Sequence, residues 1–245
     1  MQMHVPDVPM SLPDFVPIVH GLAQLLVQAA EREARAAGRS VSCGPGCGAC
    51  CRQLVPIAPA EAIVLRRVIA QLDADQRARV EYRFAAARKR LRSLGIDTRL
   101  QNESGKKEPE SRRALGLEYF ALGIACPFLE DESCSIHDQR PLACREYMVT
   151  SDPSVCSHPE FGTVETVEMP RRLSQVFRWF AGGYSPQHSA WVPLILALDD
   201  AVVDPEGMEG LRVPGPMLLE RFFQALAPAC AGTDSAETAF GALTE

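Results

Sequence analysis

The segment Cys43-Gly-Pro-Gly-Cys47-Gly-Ala-Cys50-Cys51 places four thiols within nine residues. A second cysteine-rich segment contains Cys126, Cys134, Cys144 and Cys156, so eight of the nine cysteines of the chain lie in these two segments. Packing needs alone rarely produce such clusters. Thiolates are soft ligands for zinc, copper(I) and iron–sulfur clusters, and they are also the source of disulfides. Metal binding, a disulfide framework and reactive free thiols are therefore the three interpretations to compare.

The start of the chain helps to choose among these interpretations, because disulfides depend on the cellular compartment. Residues 1–13 contain no Lys or Arg ahead of an apolar stretch, which a secretory signal requires. The apolar residues 15–30 are interrupted by His20 and Gln24, and this stretch is too short and too polar to span a bilayer. We expect a cytoplasmic protein without membrane spans, in which clustered cysteines bind metal.

Composition sets further bounds on the class of protein. The chain has 245 residues, of which 47% are hydrophobic and 23% charged, as is ordinary for a globular domain. A chain of this length can bury a core without disulfides. Its net charge of −6 argues against a general nucleic-acid binder, which usually presents a basic surface.

The coarse pattern predicts a mainly α fold with little β, in which irregular cysteine-rich metal-binding loops are held between helices. Apolar residues at helical spacing predict helices over residues 14–37, 59–72, 74–94, 115–124, 171–181, 187–201 and 214–226, and the helix over 187–201 is expected to be interrupted near Pro193. Gly38 and Gly95 follow two of these patterns, where glycine commonly ends a helix. Residues 163–168 have a weak strand-like alternation.

Three domains or segments are predicted: an N-terminal helical segment (1–41), a cysteine-cluster metal-binding domain (42–156) and a C-terminal helical segment that packs on it (157–245). A helical insertion separates the two cysteine segments. It includes residues 101–113, which have no apolar residue and predict a mobile surface loop. It also includes a helix with seven Lys and Arg between residues 77 and 92. That basic face is either solvated, paired with the acidic residues from Asp199 onward, or a docking face for an acidic partner.

The spacing of the cysteines suggests how they bind metal. Cys43, Cys47 and Cys50 have the spacing C-x3-C-x2-C on a glycine-rich turn, so three thiolates can face one centre. Cys51, adjacent to Cys50, is expected to reach a second centre or to bridge two metals. The predicted ligands are Cys43, Cys47, Cys50, Cys51, Cys126, Cys134, Cys144 and Cys156. Eight thiolates suffice for two four-thiolate sites of zinc or of iron–sulfur clusters, and the dense loop favours iron–sulfur. The two segments should therefore converge in space.

Several residues near the cysteines have two interpretations. His137 is a further ligand or a hydrogen-bonding residue. Arg140 and Arg145 form salt bridges, or they stabilise thiolate or cluster charge, because nearby cations lower the pKa of thiols. Cys230 is expected to be a small buried apolar residue. The C-x3-C-x2-C spacing is also found in radical S-adenosylmethionine enzymes, but Ala49 stands where these have an aromatic residue.

The ordered motifs resemble the YkgJ-like cysteine-cluster family. They are the first cysteine segment, then Cys126-Pro127-Phe128-Leu129, Cys134-Ser-Ile136, Arg140-Pro141 and Cys144-Arg145-x-Tyr147. The resemblance covers roughly residues 42–156 and implies a bacterial cytoplasmic domain that chelates zinc or iron. A flagellin lysine methylase has a similar cysteine cluster. This chain differs in having His137 where a tyrosine is common, and in its long insertion over residues 74–122.

Two functions remain open on this basis. In the first, the cysteines hold an iron–sulfur cluster or zinc in a binding or electron-transfer protein that acts with a protein partner. In the second, the chain is a metal-cluster-dependent enzyme of methyl or redox transfer. The first is favoured because the sequence has no phosphate-binding loop, Ser/His/Asp order or paired-carboxylate signature. No catalytic residue is assigned, and the sequence does not indicate the oligomeric state.

Overall fold

The computed structural model describes residues 5–103, 109–158, 164–184 and 191–226. The fold is mainly α, as predicted. Within the described residues the α-helices are α1 (Leu12–Ala36), α2 (Pro59–Gln71), α3 (Ala74–Ser93), α4 (Ile96–Glu103), α5 (Pro109–Ala121), α6 (Leu142–Glu146), α7 (Leu173–Gly182), α8 (Pro205–Gly210) and α9 (Gly215–Leu226). None of them has the length and apolar character that crossing a membrane would need.

The strands of the described residues form three short antiparallel pairs of two residues each. These are β1 (Pro9–Met10) with β6 (Val213–Pro214), β2 (Pro56–Ile57) with β5 (Val192–Pro193), and β3 (Leu129–Glu130) with β4 (Ser133–Cys134). Each of the first two pairs joins residues far apart in the chain, whereas β3 and β4 form a hairpin with a two-residue turn. The predicted strand-like fragment contributes one isolated bridge, between Thr166 and Val149.

Helix α1 begins with a capping box. The Ser11 hydroxyl accepts the N–H of Asp14, and the Asp14 carboxylate accepts the N–H of Ser11, so two amides at the helix start are satisfied. The buried face of α1 continues at helical spacing and packs against α2, α6, α7 and α8. Phe15 of this face meets Phe222 of α9 with ring centroids 5.9 Å apart, and Phe177 of α7 meets Phe222 at 6.0 Å. Apolar packing thus joins the two ends of the described chain.

The core does not stop at the predicted segment boundaries. One cluster of buried side chains includes Phe15, Leu142 and Phe222, which come from the three predicted segments. The division at residues 41/42 and 156/157 stays a prediction.

The helix predicted over residues 187–201 is wrong for its described part. Val192 and Pro193 form β5, and Leu194–Leu196 form a 3-10 turn. The reason is Pro193, which restricts Val192 to extended conformations and lacks the N–H that a helix needs. Residues 187–190 lie outside the described residues.

The loop predicted over residues 101–113 is wrong at both ends. Helix α4 continues to Glu103, and α5 begins at Pro109, where proline suits the first turn of a helix. Residues 104–108 lie outside the described residues, so the predicted mobility is not tested.

Most of the basic residues of α3 have partners within the chain. Arg79 and Arg83 contact Glu130 in the β3–β4 hairpin, with nitrogen–oxygen distances of 3.6 and 3.1 Å. Arg88 pairs with Asp199, one of the acidic residues suggested by the sequence. Arg92 pairs with Asp97 at 3.2 Å. Helix α3 therefore packs against the second cysteine segment as well as against the C-terminal third.

Candidate metal centre

The two cysteine segments lie against each other, which confirms the predicted convergence. The N–H of Cys126 donates to the carbonyl of Cys51 at 2.7 Å, and the N–H of Ser42 donates to the carbonyl of Val149 at 2.9 Å. The N–H of Gly46 reaches the Ser133 hydroxyl at 3.0 Å. These bonds hold the first segment at the start, in the middle and at the end.

Glycines allow the first segment to fold closely under the hairpin. Gly46 has a φ of +83°, a left-handed conformation that side chains disfavour. A Cβ on Gly48 would lie 2.5 Å from Glu132 Oε2, 2.8 Å from Leu129 Cδ1 and 3.2 Å from Glu132 Cα, so a side chain would displace both side chains and press on the backbone of the hairpin. Directly after this contact, the 3-10 turn Ala49–Arg52 carries the adjacent pair Cys50 and Cys51.

An ion pair between Arg52 and Glu132 lies over the contact between the first loop and the hairpin. Arg52 donates to both carboxylate oxygens of Glu132, at 2.9 and 2.6 Å, and to the carbonyl of Gly48 at 2.9 Å. This bidentate arrangement fixes the hairpin turn over the first loop. The guanidinium also favours the thiolate of the neighbouring Cys51.

The mutual effects of the cysteines on their thiol pKa values divide the eight into two groups that meet at the adjacent pair. The charge of Cys156 interacts with Cys43 and Cys47, and we call these three the first group. The charges of Cys126, Cys134 and Cys144 all interact with Cys51, and we call these four the second group. Cys50 lies at the junction, since its thiol is hydrogen-bonded to Cys51 and its charge interacts with both Cys43 and Cys144.

Burial keeps the free thiols neutral in the second group. It raises the pKa of Cys126 and Cys144, and the neighbouring thiols raise both further. The hydrogen bond from Cys50, with help from Arg52, lowers the pKa of Cys51, so Cys51 is the first thiol of the pair to ionise. If several of these thiols lost their protons, the thiolates would repel one another, and a bound cation is the usual means by which proteins offset that charge.

Backbone N–H groups point at three of the sulfurs. The N–H of Val149 lies 3.4 Å from Cys43 Sγ. Cys126 and Cys134 each accept the N–H of the residue two positions later, Phe128 and Ile136. Such bonds stabilise anionic sulfur and orient it towards a metal.

In the first group, Cys156 is buried and Cys43 is exposed. Burial and the neighbouring thiols raise the pKa of Cys156 to about 11, although the hydroxyl of Tyr147, which lies against its sulfur, acts in the opposite direction.

Of the three residues predicted to support the site, Arg140 lies closest to the cysteine charges. Its charge acts on Cys43, Cys51, Cys134 and Cys144, so it serves both groups. Its Nη1 lies 2.7 Å from His137 Nε2.

Arg145 and His137 support the site less directly. Arg145 is buried and donates to the carbonyls of Arg140 at 2.8 Å and of Asp138, so it braces the turn that presents Arg140. The exposed ring of His137 contacts Arg140 and Asp138.

Two supporting residues were missed in the sequence. Glu61 is 2% exposed, and its carboxylate accepts the N–H of Ala58 at 2.9 Å and of Leu142 at 2.7 Å. It thereby ties the start of α2 to α6, which carries Cys144. An acidic residue in the first turn after Pro59 is a capping signal that could have suggested part of this role. Arg83 donates to the carbonyl of Pro127 at 3.1 Å and acts on Cys126, and no local pattern indicates it.

A cleft opens beside the first group. It has a volume of about 780 Å³, and Cys47 and the glycines of its loop form one side, with Arg52, Phe120 and Ser154 among the other lining residues. None of the cysteines of the second group lines it.

The donor chemistry of the clustered thiols fits a thiophilic metal. In the described part of the chain, no group of three or more Cys, His, Asp or Glu side chains is arranged to hold a metal ion as it stands. Coordination would require the thiols of each group to rotate towards a shared centre. The assignment of individual ligands therefore stays a prediction.

The comparison with protein families gives the same chemistry. Residues 42–167 match the model of the CxxCxxCC family, described as "Putative zinc- or iron-chelating domain". The chain belongs to this family. The match includes both cysteine segments and supports the binding of zinc or iron. No curated protein and no solved structure matches the chain.

Proposed function

We propose that this chain holds iron–sulfur clusters in two four-cysteine centres. Cys50 completes the first group, and Cys51 belongs to the second. The observation that supports the proposal is the convergence of the two cysteine segments beside the adjacent pair, where the N–H of Cys126 donates to the carbonyl of Cys51 at 2.7 Å. Four cysteines are the usual ligand set of such clusters.

Iron–sulfur is favoured over zinc by the surroundings of the sulfurs. N–H groups and the cations Arg52, Arg83 and Arg140 surround a donor set of high negative charge. Hydrogen bonds to sulfur and local charge are the means by which proteins set the potential of a cluster. Zinc also takes four thiolates, and it is the alternative occupant.

Anaerobic purification followed by metal and acid-labile sulfide analysis tests this proposal. We expect a brown protein that contains iron and sulfide in equal amounts and bleaches in air. A colourless protein with two equivalents of zinc would replace iron–sulfur by zinc and keep the two centres. A protein that takes up neither metal would overturn the proposed function.

A protein partner is part of the proposed function in the cytoplasm. Arg77, Lys89 and Arg90 of α3 are exposed, and the described residues provide no ion pair for them. Lys89 and Arg90, adjacent near the C-terminal end of the helix, would dock an acidic protein surface. Charge reversal at Lys89 and Arg90 should weaken a salt-sensitive pull-down while metal content stays constant.

The cleft at Cys47 is the observation that supports the enzyme alternative. An open cleft of about 780 Å³ beside a metal centre has the size of a small-molecule site. Methyl or redox transfer at that centre would need a substrate seated in the cleft. Turnover that persists after charge reversal on α3, and that stops when the cleft is filled, would favour the enzyme over the partner-dependent protein.

A further inference from the structure

We propose that α3 pairs antiparallel with α3 of a second copy of this chain, across a two-fold axis at Tyr82. The proposal rests on the docking role proposed for Lys89 and names the partner that Lys89 meets. It does not depend on which metal the cysteines hold.

The outward side of α3 carries a line of residues suited to pairing with another helix. The buried residues of α3 lie on its inner side, at Val80, Phe84, Ala87 and Leu91. The outer side carries exposed residues that are alternately three and four positions apart, namely Asp75, Ala78, Tyr82, Ala85 and Lys89. Residues with this spacing form one stripe along a helix, and such a stripe is the surface that helices use to pack in pairs.

Tyr82 is the large residue in the middle of this stripe. Its side chain is 74% exposed, although tyrosine rings carry much apolar area and are enriched at protein interfaces. Alanines stand before and after it in the stripe, at Ala78, Ala85 and Ala86. With the axis at Tyr82, each ring would lie beside the alanines of the other copy, and these small side chains leave room for two helices to approach closely.

The two ends of the stripe carry opposite charges at equal distances from its centre. Asp75 lies seven residues before Tyr82, and Lys89 lies seven residues after it. An antiparallel pair therefore places Asp75 of each copy opposite Lys89 of the other, whereas a parallel pair in the same register would place like charges together. Within the described residues, the ion pairs of α3 are made by Arg79, Arg83, Arg88 and Arg92. Asp75 and Lys89 are thus available to a partner.

A second copy fits this stripe better than a uniformly acidic surface does. An acidic surface would attract Lys89 and repel Asp75. The match is complete only if the partner presents both charges at the same spacing, which α3 itself does, and interfaces between identical copies are self-complementary in this way. The helix has 20 residues and is about 30 Å long. One helix face is a small interface, so we expect a weak and reversible dimer.

Sedimentation velocity of the anaerobically purified full chain tests the pairing, at protein concentrations up to about 1 mM, with metal content measured on the same samples. We expect a dimer that weakens as salt is raised. Asp75→Lys or Lys89→Asp alone should weaken dimerisation about tenfold, because the symmetry repeats each lost pair twice. The double variant should restore the dimer, since the exchanged charges again oppose each other. Glu33→Lys, at an exposed position of α1, is the matched control and should change nothing.

Tyr82→Ala provides a second measurement. It should weaken dimerisation at least about tenfold and leave the unfolding of the dilute protein unchanged, because the side chain is exposed in the single chain. A chain that stays monomeric up to about 1 mM, or a double variant no better than the single ones, would overturn this inference. Binding of a separate acidic protein by a monomeric chain would assign Lys89 to that partner instead.

Metal content separates this inference from the proposed metal binding. A monomeric chain that contains zinc or iron would overturn the pairing alone. A dimer that takes up neither metal would keep the pairing and overturn the proposed metal centres.

Discussion

The helical body, which is formed around α1, α7 and α9, and the cysteine region, which comprises residues 42–52 and 126–157, are stabilised by different means. In the body, α1, α7 and α9 bury a group of phenylalanines, and helical periodicity is visible in the sequence. In the cysteine region, regular structure is limited to two-residue strands, 3-10 turns and the short helix α6. Single hydrogen bonds between distant residues hold it, such as the one from Cys126 to Cys51. The comparison teaches that apolar packing at helical spacing holds the body, whereas hydrogen bonds between distant residues connect the cysteine region, where we expect a bound metal to add stability.

The largest effect on metal content and stability is expected when a cysteine of the second group is replaced. Cys144→Ser should remove metal from the second group and destabilise the protein by several kcal/mol, because structural zinc contributes about 10–16 kcal/mol in small peptides. Metal content and thermal unfolding measure the two effects. Cys230→Ser is the control outside the predicted ligand set, and equal metal loss in both variants would show that the ligand set is wrong.

A substitution in the helical body should lower the free energy of unfolding and leave the metal content of the folded protein unchanged. Phe177 is fully buried and packs against Phe222, so Phe177→Ala should lower the free energy of unfolding by about 3–5 kcal/mol. The ratio of metal to folded protein should stay that of the wild type. If metal is lost in proportion to stability, the two regions are one cooperative unit and the comparison fails.

The contact between the first loop and the hairpin should have an intermediate effect. Gly48→Ala places a Cβ 3.2 Å from the Glu132 backbone as well as against two side chains, and it should cost about 1–3 kcal/mol. Gly44→Ala is the matched control, because its Cβ meets nothing within 4 Å. Chemical unfolding of both variants measures the difference, and equal stabilities would mean that the hairpin does not press on the loop.

The smallest effect is expected from the arginine that connects α3 to the second group. Arg83→Ala loses a hydrogen bond to the Pro127 carbonyl and an ion pair with Glu130, and it should cost about 0.5–1.5 kcal/mol. It should also speed the release of metal from the second group of cysteines. Arg90→Ala, at an exposed position of the same helix, should change neither quantity. Faster release from both variants would assign the effect to the charge of α3 as a whole.

The sequence predicted the body better than the cysteine region for a physical reason. The apolar spacing of α1 and α3 and the proline that begins α2 are local signals, and these helices are confirmed within one or two residues. The helix over residues 187–201 failed because Pro193 keeps Val192 extended and because the strand partner of Val192, Ile57, lies far away in sequence.

In the candidate site, too, the sequence could not predict features that depend on contacts between distant residues. Its cysteines could be recognised from their spacing, and so could the need for the two segments to meet. The grouping of Cys156 with Cys43 could not be predicted, because it depends on how the chain returns after α6. The roles of Glu61 and Arg83 were missed for the same reason, since each acts on a backbone group more than 40 residues away in sequence.

The hairpin turn above the first loop has a consequence for redesign of this protein. Asp131 and Glu132 have φ values of 48° and 54°, a combination that Asn-Gly would adopt more readily. Left-handed backbone costs about 1–2 kcal/mol for each ordinary residue. A designer who wrote Asn-Gly here would improve the turn and remove the carboxylate that Arg52 grips. The native turn therefore has an unfavourable backbone conformation but keeps the ion pair with Arg52 over the neighbouring loop. Selection for turn stability alone would tend to remove that ion pair.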